Sequence, residues 1–510
     1  MKSQIIATIQ NLFGILIHHL HGGDPETLSA LFCDDGTLEL PIEGTVCRGR
    51  DKISARLTPF LQGPLQYILL QSPAFMVFDN MHHAKGMWEA NTITLYPEQA
   101  GFEHGSCRFD VDFALTGGGW RISRLVWYDM MSFIPTPCPR EQLEQAVTQA
   151  ATLPPTEAAV PAGDGVALQN LMGLYCHSNR RDAISLWDES DLAVLTLPTL
   201  FPAPRVGYAE VKAAFEELEQ RDRDNGGYFL SIPFLSAPVI RVEGDEAEGW
   251  WMAQSFCMTA PGEDGDARLR REISRYHARF VRTGSGWAFR ALHSYHCFSL
   301  PDERLDHNMK GQITITPEDN HWTYPVRTDS HAHRYPYDAY QIQSVLPQWT
   351  SRLRRGLTHE FLDDYYMEDK DRIVLHIRIN PQVGREVIAG RMAEYDSVFV
   401  HRQPTSHNGS TPFCWINETG DEALVHWLDQ SWTNVNGVFG KKDFPVPFFR
   451  TSGNYCFYFV KEYGEWRVSK IQWMPICLLE DLYLDPEHTK GWAGTDSPNP
   501  WPLPFEDLNL

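Results

Sequence analysis

Gly117-Gly118-Gly119-Trp120-Arg121-Ile122 sets the architecture of this chain, because two variants of it follow. These are Gly284-Ser285-Gly286-Trp287-Ala288-Phe289 and Tyr463-Gly464-Glu465-Trp466-Arg467-Val468. In each copy a short turn separates an alternating apolar run from a second run of large residues, which is the pattern of a β-hairpin. The copies lie roughly 170 residues apart, the length of one ordinary domain, so the spacing predicts three related domains.

The composition is that of a globular protein, with 510 residues of which 43% are hydrophobic and 22% charged. A formal net charge of -22 repels phosphate backbones and anionic lipid surfaces. No apolar run approaches the roughly 20 residues that a membrane-spanning helix needs. We therefore expect neither nucleic acid nor a membrane as a partner.

Ten cysteines without a C-x-x-C pair, and an N-terminus unlike a signal peptide, predict a cytoplasmic protein.

Around each hairpin the order of predicted elements is the same, with helices first and long strands after them. This order predicts an α+β fold in three tandem domains. The expected domains are residues 1–137, 166–300 and 336–482. Residues 138–165 and 301–335 are expected to be linkers, and residues 483–510 form a tail rich in Pro and Trp. Prolines should keep this tail extended, and its aromatic rings should pack on another domain or subunit.

Helices followed by an antiparallel sheet whose last hairpin reads Gly-Gly-Trp-Arg-Ile resemble the nuclear transport factor 2-like superfamily, and within it the SnoaL-like group. The resemblance covers nearly the whole chain, three times over. It implies cone-shaped domains in which N-terminal helices pack on a strongly bent sheet and enclose an apolar pocket. The family includes dehydratase-like lyases, ketosteroid isomerase-like and polyketide cyclase-like enzymes, and members that only bind or scaffold.

In the dehydratase-like branch, the resemblance implies three catalytic side chains. A Tyr and an Asp lie on the first helix, and a His lies just before the strand that begins with Pro. Tyr175 matches the helix Tyr, but Arg180 stands where the Asp would be. The full residue set of that branch is therefore not carried over to this chain.

Comparison of the three copies with one another singles out domain 3. The copies, aligned on recurring Pro and Trp residues, carry His407, Asp429 and Tyr455 in domain 3, Ile68, Ala90 and Phe109 in domain 1, and Pro233, Ala253 and Tyr276 in domain 2. A polar side chain where the counterparts are apolar is costly unless it is paired or used. We predict His407 as a general base, Asp429 as its orienting carboxylate and Tyr455 as the donor to a carbonyl oxygen. Trp427, on the same strand as Asp429, is expected to bind substrate.

Two alternatives to this site stay open. His407 follows Thr405-Ser406, and in a polar loop it would simply face water. Domain 2 offers a rival cavity, for which the predicted lining residues are Tyr175, Tyr276, His293 and Tyr295. Aromatic residues on strands more often belong to the core than to a site.

Two functions follow from these patterns. The first is a cofactor-independent lyase or isomerase acting on a hydrophobic aromatic or polycyclic carbonyl or hydroxyl compound. The alternative is a non-catalytic small-molecule-binding or scaffold protein built as an intramolecular pseudo-oligomer. No phosphate-binding loop or dinucleotide motif is present, so no cofactor is expected. His331-x-His333 lacks nearby Cys or paired acidic residues, so no metal is expected.

The expected partner is a small hydrophobic molecule, together with further copies of the chain. Members of the superfamily commonly pair through the outer face of the sheet. We expect two of the three domains to pair in this way within one chain. The third domain would then pair with a second chain, giving a homodimer or a higher homo-oligomer.

Overall fold

A computed structural model describes the chain over residues 1–63, 65–78, 80–96, 101–132, 136–137, 153–263, 265, 267–306, 327, 329–369, 371–377, 380–399, 405–434 and 448–479. The predicted tail at 483–510 lies outside the described residues. So does more than half of each predicted linker. None of the helices within these ranges is long and apolar enough to cross a membrane.

Domain 1 begins with a long helix that is apolar on almost every side. The helices are α1 (Lys2–Leu20), α2 (Pro25–Ala30) and α3 (Arg50–Gln62), with a 3-10 turn at Pro41–Glu43. The strands are β1 (Phe32–Leu40), β2 (Thr45–Arg48), β3 (Leu65–Leu70), β4 (Ala74–Val77), β5 (His83–Tyr96), β6 (Gly101–Thr116), β7 (Gly119–Ser132) and β8 (Thr136–Pro137). The Asp24 carboxylate accepts from the backbone N–H of Thr27 at 2.7 Å, which caps α2 as its Asp-Pro start predicts.

Domain 2 repeats this order. Its helices are α4 (Ala162–His177), α5 (Arg180–Ala183) and α6 (Tyr208–Asp224), with a 3-10 turn at Ile184–Leu186. Its strands are β9 (Val194–Thr196), β10 (Arg205–Val206), β11 (Ile232–Glu243), β12 (Glu246–Thr259), β13 (Arg268–Thr283), β14 (Gly286–Ser299) and β15 (Glu303–Asp306). Helix α4 starts inside the stretch predicted as the first linker, and β15 lies inside the second.

Domain 3 repeats the order again. A 3-10 turn at Ala332–Arg334 precedes α7 (Pro336–Gln343), α8 (Val345–Arg355), α9 (Thr358–Tyr365) and α10 (Arg385–Phe399). The strands are β16 (Val374–Ile377), β17 (Asn380–Val383), β18 (Thr405–Ile416), β19 (Glu422–Asn434), β20 (Phe448–Glu462) and β21 (Glu465–Leu479).

The three sheets share one strand order. In domain 1 it is β2-β1-β7-β6-β5-β3, with β4 also on β5. In domain 2 it is β10-β9-β14-β13-β12-β11, and in domain 3 β17-β16-β21-β20-β19-β18. The short β1, β9 and β16 pair in parallel with the last long strand of their domain, and the long strands are antiparallel. The fold is therefore α+β, with one topology present three times.

The recurring hairpin residues explain why the long strands reverse direction. In domain 1 the hydroxyl of Thr116 donates to the backbone oxygen of Gly119 at 2.8 Å and accepts from the N–H of Gly118. Thr283 makes the same bonds in domain 2, to Gly286 and Ser285. Gly119 and Gly286 have positive φ values of 96° and 121°, which a side chain would strain.

The domains are arranged as a closed ring. Helix α1 of domain 1 lies on β11 of domain 2, α4 of domain 2 lies on β18 of domain 3, and α7 and α8 of domain 3 lie on β4 of domain 1. Pro73, between β3 and β4, meets Pro238 on β11 and Pro412 on β18 at the centre, where they line a cavity of about 40 Å³. The chain thus has an approximate threefold axis.

Matching side chains hold two of these contacts. Asn11 on α1 exchanges hydrogen bonds with the backbone of Ile240, at 2.7 and 3.0 Å. Asn170 on α4 does the same with Cys414, at 2.6 and 2.9 Å. These bonds satisfy amides that the packing buries, which is why polar residues are tolerated within helices that are buried all round.

Small residues on the same helices let the domains approach closely. A Cβ added at Gly14 would lie 2.6 Å from the backbone oxygen of Pro238, and one at Gly173 would lie 2.5 Å from that of Pro412. Both distances are too short for a side chain to be accommodated without a shift of the backbone.

All three domains meet at their outer sheet faces, whereas the sequence predicted such a pairing for two of them. The first helices of a neighbouring domain cover part of each outer face: Nε2 of His18 donates to the backbone oxygen of Ala237 at 3.0 Å, and Ser351 on α8 donates to Glu89 at 3.2 Å.

The sheets also contact one another directly. The ring of Tyr67 on β3 lies 4.9 Å from that of Phe298 on β14, and Asn408 on β18 donates to Asn91 on β5. The sheets of domains 2 and 3 are also joined edge to edge by β15, which pairs with both β13 and β21.

Candidate functional site

The inner face of the third sheet brings together the three residues predicted as a catalytic set. His407 on β18 lies opposite Ser431, and Asp429 and Ser431 are two residues apart on β19, hence on one face. Tyr455 on β20 pairs with Trp427, two residues before Asp429. The side chains of His407, Asp429 and Tyr455 therefore project from three neighbouring strands toward the interior of the cone.

Ser431, which the comparison of copies missed, joins His407 to Asp429. Nδ1 of His407 and Oδ2 of Asp429 are 3.8 Å apart, beyond a direct hydrogen bond. Oγ of Ser431 lies 2.7 Å from Nδ1 of His407 and donates its proton to Oδ2 of Asp429. Since a hydroxyl has one proton and an ionised carboxylate only accepts, Oγ must accept from Nδ1–H. His407 is thereby held as the Nδ1–H tautomer, and Nε2 carries the basic lone pair.

Burying these polar and charged groups costs folding stability unless the groups take part in a function. The side chain of Asp429 is 0% exposed and that of His407 is 13% exposed. Oδ2 of Asp429 also accepts from Nε1 of Trp473 at 3.1 Å. Within the part of the chain that the structure describes, neither Oδ1 of Asp429 nor Nε2 of His407 has a hydrogen-bond partner. Buried polar atoms of this kind are uncommon and gather at functional sites.

Gly453 makes room for the indole ring that reaches Asp429. It lies opposite Asp429 on β20, and a Cβ there would be 2.5 Å from Nε1 of Trp473. Any other residue at this position would displace the ring. The glycine is therefore part of the support for Asp429.

Aromatic rings form the wall beside His407. The ring centre of Tyr455 lies 6.5 Å from that of His407 and 6.3 Å from that of Trp473, and Tyr455 is buried. Nε1 of Trp427 donates to Oγ of Ser72 at 2.9 Å, and Ser72 belongs to domain 1. The neighbouring domain thus fixes one wall of the site.

The strand registers confirm the alignment of the three copies. Ile68 faces Thr92 and Phe109 faces Trp88 in domain 1, as His407 faces Ser431 and Tyr455 faces Trp427 in domain 3. In domain 2 the matching pairs are Pro233 with Ser255 and Tyr276 with Trp251. Ala90 and Ala253 lie two positions after Trp88 and Trp251, as Asp429 does after Trp427. Domains 1 and 2 therefore lack the His and the Asp at these positions.

The strand pairing shows that the cavity predicted in domain 2 is wrong. Tyr175 on α4 and Tyr276 on β13 both lie in the core, and burial raises the pKa of both phenols. Tyr276 pairs with Ser294, so His293 and Tyr295 project from the opposite face of the sheet. The four residues cannot line one cavity, because neighbouring residues of β14 alternate between its two faces.

Domain 1 contains a cavity that the comparison of copies did not indicate. Its volume is about 340 Å³, and it opens at the mouth of the cone between α3 and the strands β5 to β7. Its lining includes Arg56, Phe60, Tyr96, Glu103, Trp127 and Asp129. The compared positions, such as Ala90 and Phe109, lie deeper in the cone, where domain 1 is apolar. The acidic residues farther along the same strands are the sequence feature from which this cavity could have been predicted.

The described ranges contain no group of three or more His, Cys, Asp or Glu side chains placed to hold a metal ion. The rings of His331 and His333 are 6.5 Å apart; His331 precedes the 3-10 turn that opens domain 3, and His333 lies within it.

Comparison with known proteins gives matches at the level of the domain. A family model described as a SnoaL-like domain matches residues 2–126 and 167–293. No curated protein matches the chain.

Solved structures resemble single domains of the chain. An NTF2-like protein with a cystatin-like fold from Novosphingobium aromaticivorans is 20% identical, over 24% of this chain and 79% of that protein, with a TM-score of 0.21. ActVI-ORFA from Streptomyces coelicolor is 15% identical, over 24% of this chain and 96% of its own, with a TM-score of 0.22. The type 2 hexachlorocyclohexane dehydrochlorinase LinA is 13% identical, over 27% and 93%, with a TM-score of 0.24.

The family match and the repeated topology lead to one assignment. The family model covers domains 1 and 2 almost completely, and domain 3 has the same strand order and the same parallel pairing of its short strand. The chain therefore belongs to the SnoaL-like family, as three tandem copies of one fold.

Proposed function

We propose that domain 3 catalyses a proton transfer on a hydrophobic carbonyl or hydroxyl compound, as a cofactor-independent lyase or isomerase. The observation that carries the proposal is Nε2 of His407, a nitrogen without a partner among the described residues, on a side chain that is 13% exposed and linked through Ser431 to Asp429. A base with an unused lone pair that is shielded from bulk water is suited to proton transfer.

In the proposed reaction, Nε2 of His407 removes a proton from the carbon next to the substrate carbonyl. The electron pair of the broken C–H bond moves into an enolate, whose oxygen accepts a hydrogen bond from the phenol of Tyr455. An isomerase returns the proton to a different carbon. A lyase passes it to a hydroxyl that leaves from the next carbon, so that water departs and a C=C bond forms.

Asp429 stabilises the imidazolium that forms on His407. Its carboxylate lies 3.8 Å from Nδ1, and Ser431 bridges the two groups. Attraction between opposite charges at this distance is strong where water is excluded. Asp429 and Ser431 are thus proposed as positioning residues, and His407 and Tyr455 as the residues that touch the substrate.

The aromatic residues around His407 lead us to propose an aromatic or polycyclic substrate. Trp427 and Trp349 are fully buried in the core of domain 3, and Tyr455 adds a third ring. Flat rings pack well against one another, and small-molecule sites are typically hydrophobic with few polar groups. Eight of the cysteines in the described part of the chain are free thiols, which supports a reducing compartment such as the cytoplasm.

Deuterium exchange tests this proposal even when the product has not been identified. The protein is incubated in D₂O with a panel of aromatic and steroid-like ketones, and mass spectrometry measures deuterium gained next to the carbonyl. The parent protein should catalyse exchange on at least one compound, and His407→Gln should abolish it. His82→Gln, which changes an exposed His in a domain 1 turn, is the matched control and should retain the rate. Full exchange activity in His407→Gln would refute the proposal.

A scaffold function is the second candidate, and the closed ring of domains favours it. The ring is an intramolecular pseudo-oligomer, in which domains 1 and 2 would serve to hold domain 3 in shape. A panel on which the parent protein catalyses no exchange would favour this second candidate.

A further inference from the structure

Domain 1 contacts domain 3 directly behind the strands that carry the proposed site. Three consecutive residues of β18 pair with three of β19, namely His407 with Ser431, Asn408 with Gln430, and Gly409 with Asp429. Because neighbouring residues of a strand point to opposite faces, Asn408 and Gln430 project outward. This outward pair lies between the two inward pairs on which the geometry of the site depends.

A single side chain of domain 1 bonds to both members of the outward pair. It belongs to Asn91 on β5, which is 3% exposed. Nδ2 of Asn408 donates to Oδ1 of Asn91, and Nδ2 of Asn91 donates to Oε1 of Gln430 at 3.4 Å. Asn91 thus joins β18 to β19 from the outer side, at the level of His407 and Asp429.

Ser72 of domain 1 holds the same two strands at a second point. Its backbone N–H donates to the backbone oxygen of Gly409 at 2.7 Å, and its hydroxyl accepts from Nε1 of Trp427 at 2.9 Å. Gly409 faces Asp429, and Trp427 lies two positions before Asp429 on β19. Domain 1 therefore contacts both strands on either side of Asp429.

The other two domains lack the bridging amides. Leu69 in domain 1 and Phe234 in domain 2 occupy the position of Asn408, so no side-chain amide is present there. Gln254 is the counterpart of Asn91 in domain 2, and its Nε2 has no hydrogen-bond partner within the described ranges. The amide bridge is thus present behind the sheet that carries a His and an Asp, and absent behind the two sheets that lack them.

We infer that Asn91 is a positioning residue that domain 1 supplies to the site in domain 3. The inference rests on the function proposed for that site. The Ser431 hydroxyl links His407 to Asp429 only while β18 and β19 keep their spacing, because its contact with Nδ1 is 2.7 Å long and a hydrogen bond weakens as its atoms separate. Domain 1, which has neither the His nor the Asp, serves catalysis by holding these strands.

Asn91→Ala tests the inference through the deuterium exchange assay. We expect kcat to fall about tenfold, part of the roughly hundredfold loss that a displacement of about 1 Å causes in an active site. KM should stay within about twofold of the parent value, because no group that touches the substrate changes. Gln254→Ala truncates the equivalent buried amide of domain 2, so it is the matched control and should keep the parent kcat.

The tautomer of His407 gives a second readout that does not depend on turnover. In protein labelled with ¹⁵N-histidine, nitrogen chemical shifts distinguish an Nδ1–H imidazole from an Nε2–H one, and His407→Gln identifies the resonances. The parent should show the Nδ1–H form that Ser431 selects. Asn91→Ala should show a mixture of tautomers, because the strands are no longer held at the spacing that this bond needs. Gln254→Ala should show the parent form.

A second variant is available if thermal unfolding shows that Asn91→Ala is not folded. Asn91→Leu combined with Asn408→Leu then takes its place. Replacing both bonded amides by apolar groups costs less stability than leaving one of them buried and unpaired. The double variant removes the same link between the domains, so it should show the same loss of kcat and the same mixture of tautomers.

Two results would overturn the inference. One is a folded Asn91→Ala protein with the parent kcat and an unchanged tautomer. The other is a loss of rate in Gln254→Ala as large as that in Asn91→Ala, because the amide would then act through general stability. A parent protein without exchange activity would count against the function proposed for domain 3, and the tautomer alone would then decide. In that case a mixture in Asn91→Ala supports the positioning role and an unchanged Nδ1–H form refutes it.

Discussion

Oγ of Ser431 lies 2.7 Å from Nδ1 of His407 and donates its own proton to the carboxylate of Asp429. The order of donors is fixed by the single proton of the hydroxyl, so the basic lone pair of the imidazole is at Nε2. The pairing of β18 with β19 sets this relationship, because it places Ser431 opposite His407.

Ser431→Ala should reduce turnover without abolishing it. The variant keeps His407 but removes the acceptor that selects its tautomer, so part of the population presents a protonated Nε2. We expect a decrease in kcat of about tenfold to a hundredfold, within the range of general-base contributions. The measurement is the initial rate of exchange or product formation on whichever compound the panel identifies.

Ser255→Ala is the matched control for Ser431→Ala. Ser255 occupies the equivalent position in domain 2, where it faces Pro233 instead of a His. This variant should keep the parent rate. A loss of rate in Ser255→Ala as large as that in Ser431→Ala would show that the hydroxyl acts through general stability and not through His407.

Tyr455→Phe should lower turnover by about a hundredfold to a thousandfold, the usual effect of removing one donor to a developing oxyanion. Substrate affinity should change little, because the phenyl ring remains and the hydroxyl acts mainly on charge that develops during the reaction. Tyr463→Phe, at a hairpin position that is 91% exposed, is the control. A change confined to KM would contradict the role proposed for the hydroxyl.

Gly173→Ala should destabilise the ring of domains. The new methyl group would lie 2.5 Å from the backbone oxygen of Pro412 and 3.1 Å from Cβ of Phe413. We expect the free energy of unfolding to fall by about 1 to 3 kcal/mol, the usual cost of overpacking. Gly390→Ala, at an exposed position within α10 with open space around it, should instead be stabilising by up to about 1 kcal/mol. Urea denaturation followed by fluorescence compares the two, and equal effects would argue against the close contact.

Stability should depend on pH through histidines that are buried at the domain contacts. Burial is the main cause that lowers the pKa of His18, His21, His177 and His426, to about 3 for His21 and about 4 for His177. The unfolded chain takes up these protons near pH 6.5, whereas the folded chain does not until much lower pH. The free energy of unfolding should therefore be constant above pH 7 and fall as the pH decreases from 6.5 to 4.

His177→Gln removes the contribution of one histidine to the pH dependence of the unfolding free energy. His177 alone contributes roughly 3 kcal/mol of the loss across that window, at 1.36 kcal/mol per unit of pKa. The Gln variant does not titrate, so its curve of unfolding free energy against pH should be shallower than that of the parent. Denaturation at pH 4.5, 5.5, 6.5 and 7.5 gives both curves, and parallel curves would contradict the prediction.

The domain architecture and much of the domain 3 site could be predicted from sequence, because both depend on local patterns. The Trp of each hairpin and the Pro before each bend mark equivalent points on the strands, and the register then follows by counting. His407, Asp429 and Tyr455 were selected in this way. Ser431 was missed because a Ser or Thr occupies its position in all three copies, so the comparison held no contrast there.

Features that depend on the packing of distant segments could not be predicted. The hydrogen bond from Trp427 to Ser72 joins residues of different domains, and no sequence pattern around either residue indicates it. The predicted cavity with His293 and Tyr295 was placed on the wrong face because a one-residue offset reverses every side chain of a strand. The acidic mouth of domain 1 lies beyond the positions at which the copies were compared.

The closed ring has a consequence for the order in which the protein is made. Helices α1 and α4 precede the sheets that they cover, so those sheets meet their covering helix as soon as they fold. The outer face of domain 1 waits for α8, which is synthesised far later. That face carries Glu89, where domain 2 has Met252, and an ion pair between Arg108 and Asp110. In a nascent chain that does not yet include domain 3, this face is therefore charged and exposed to water. The charge protects the chain from association with its neighbours on the ribosome.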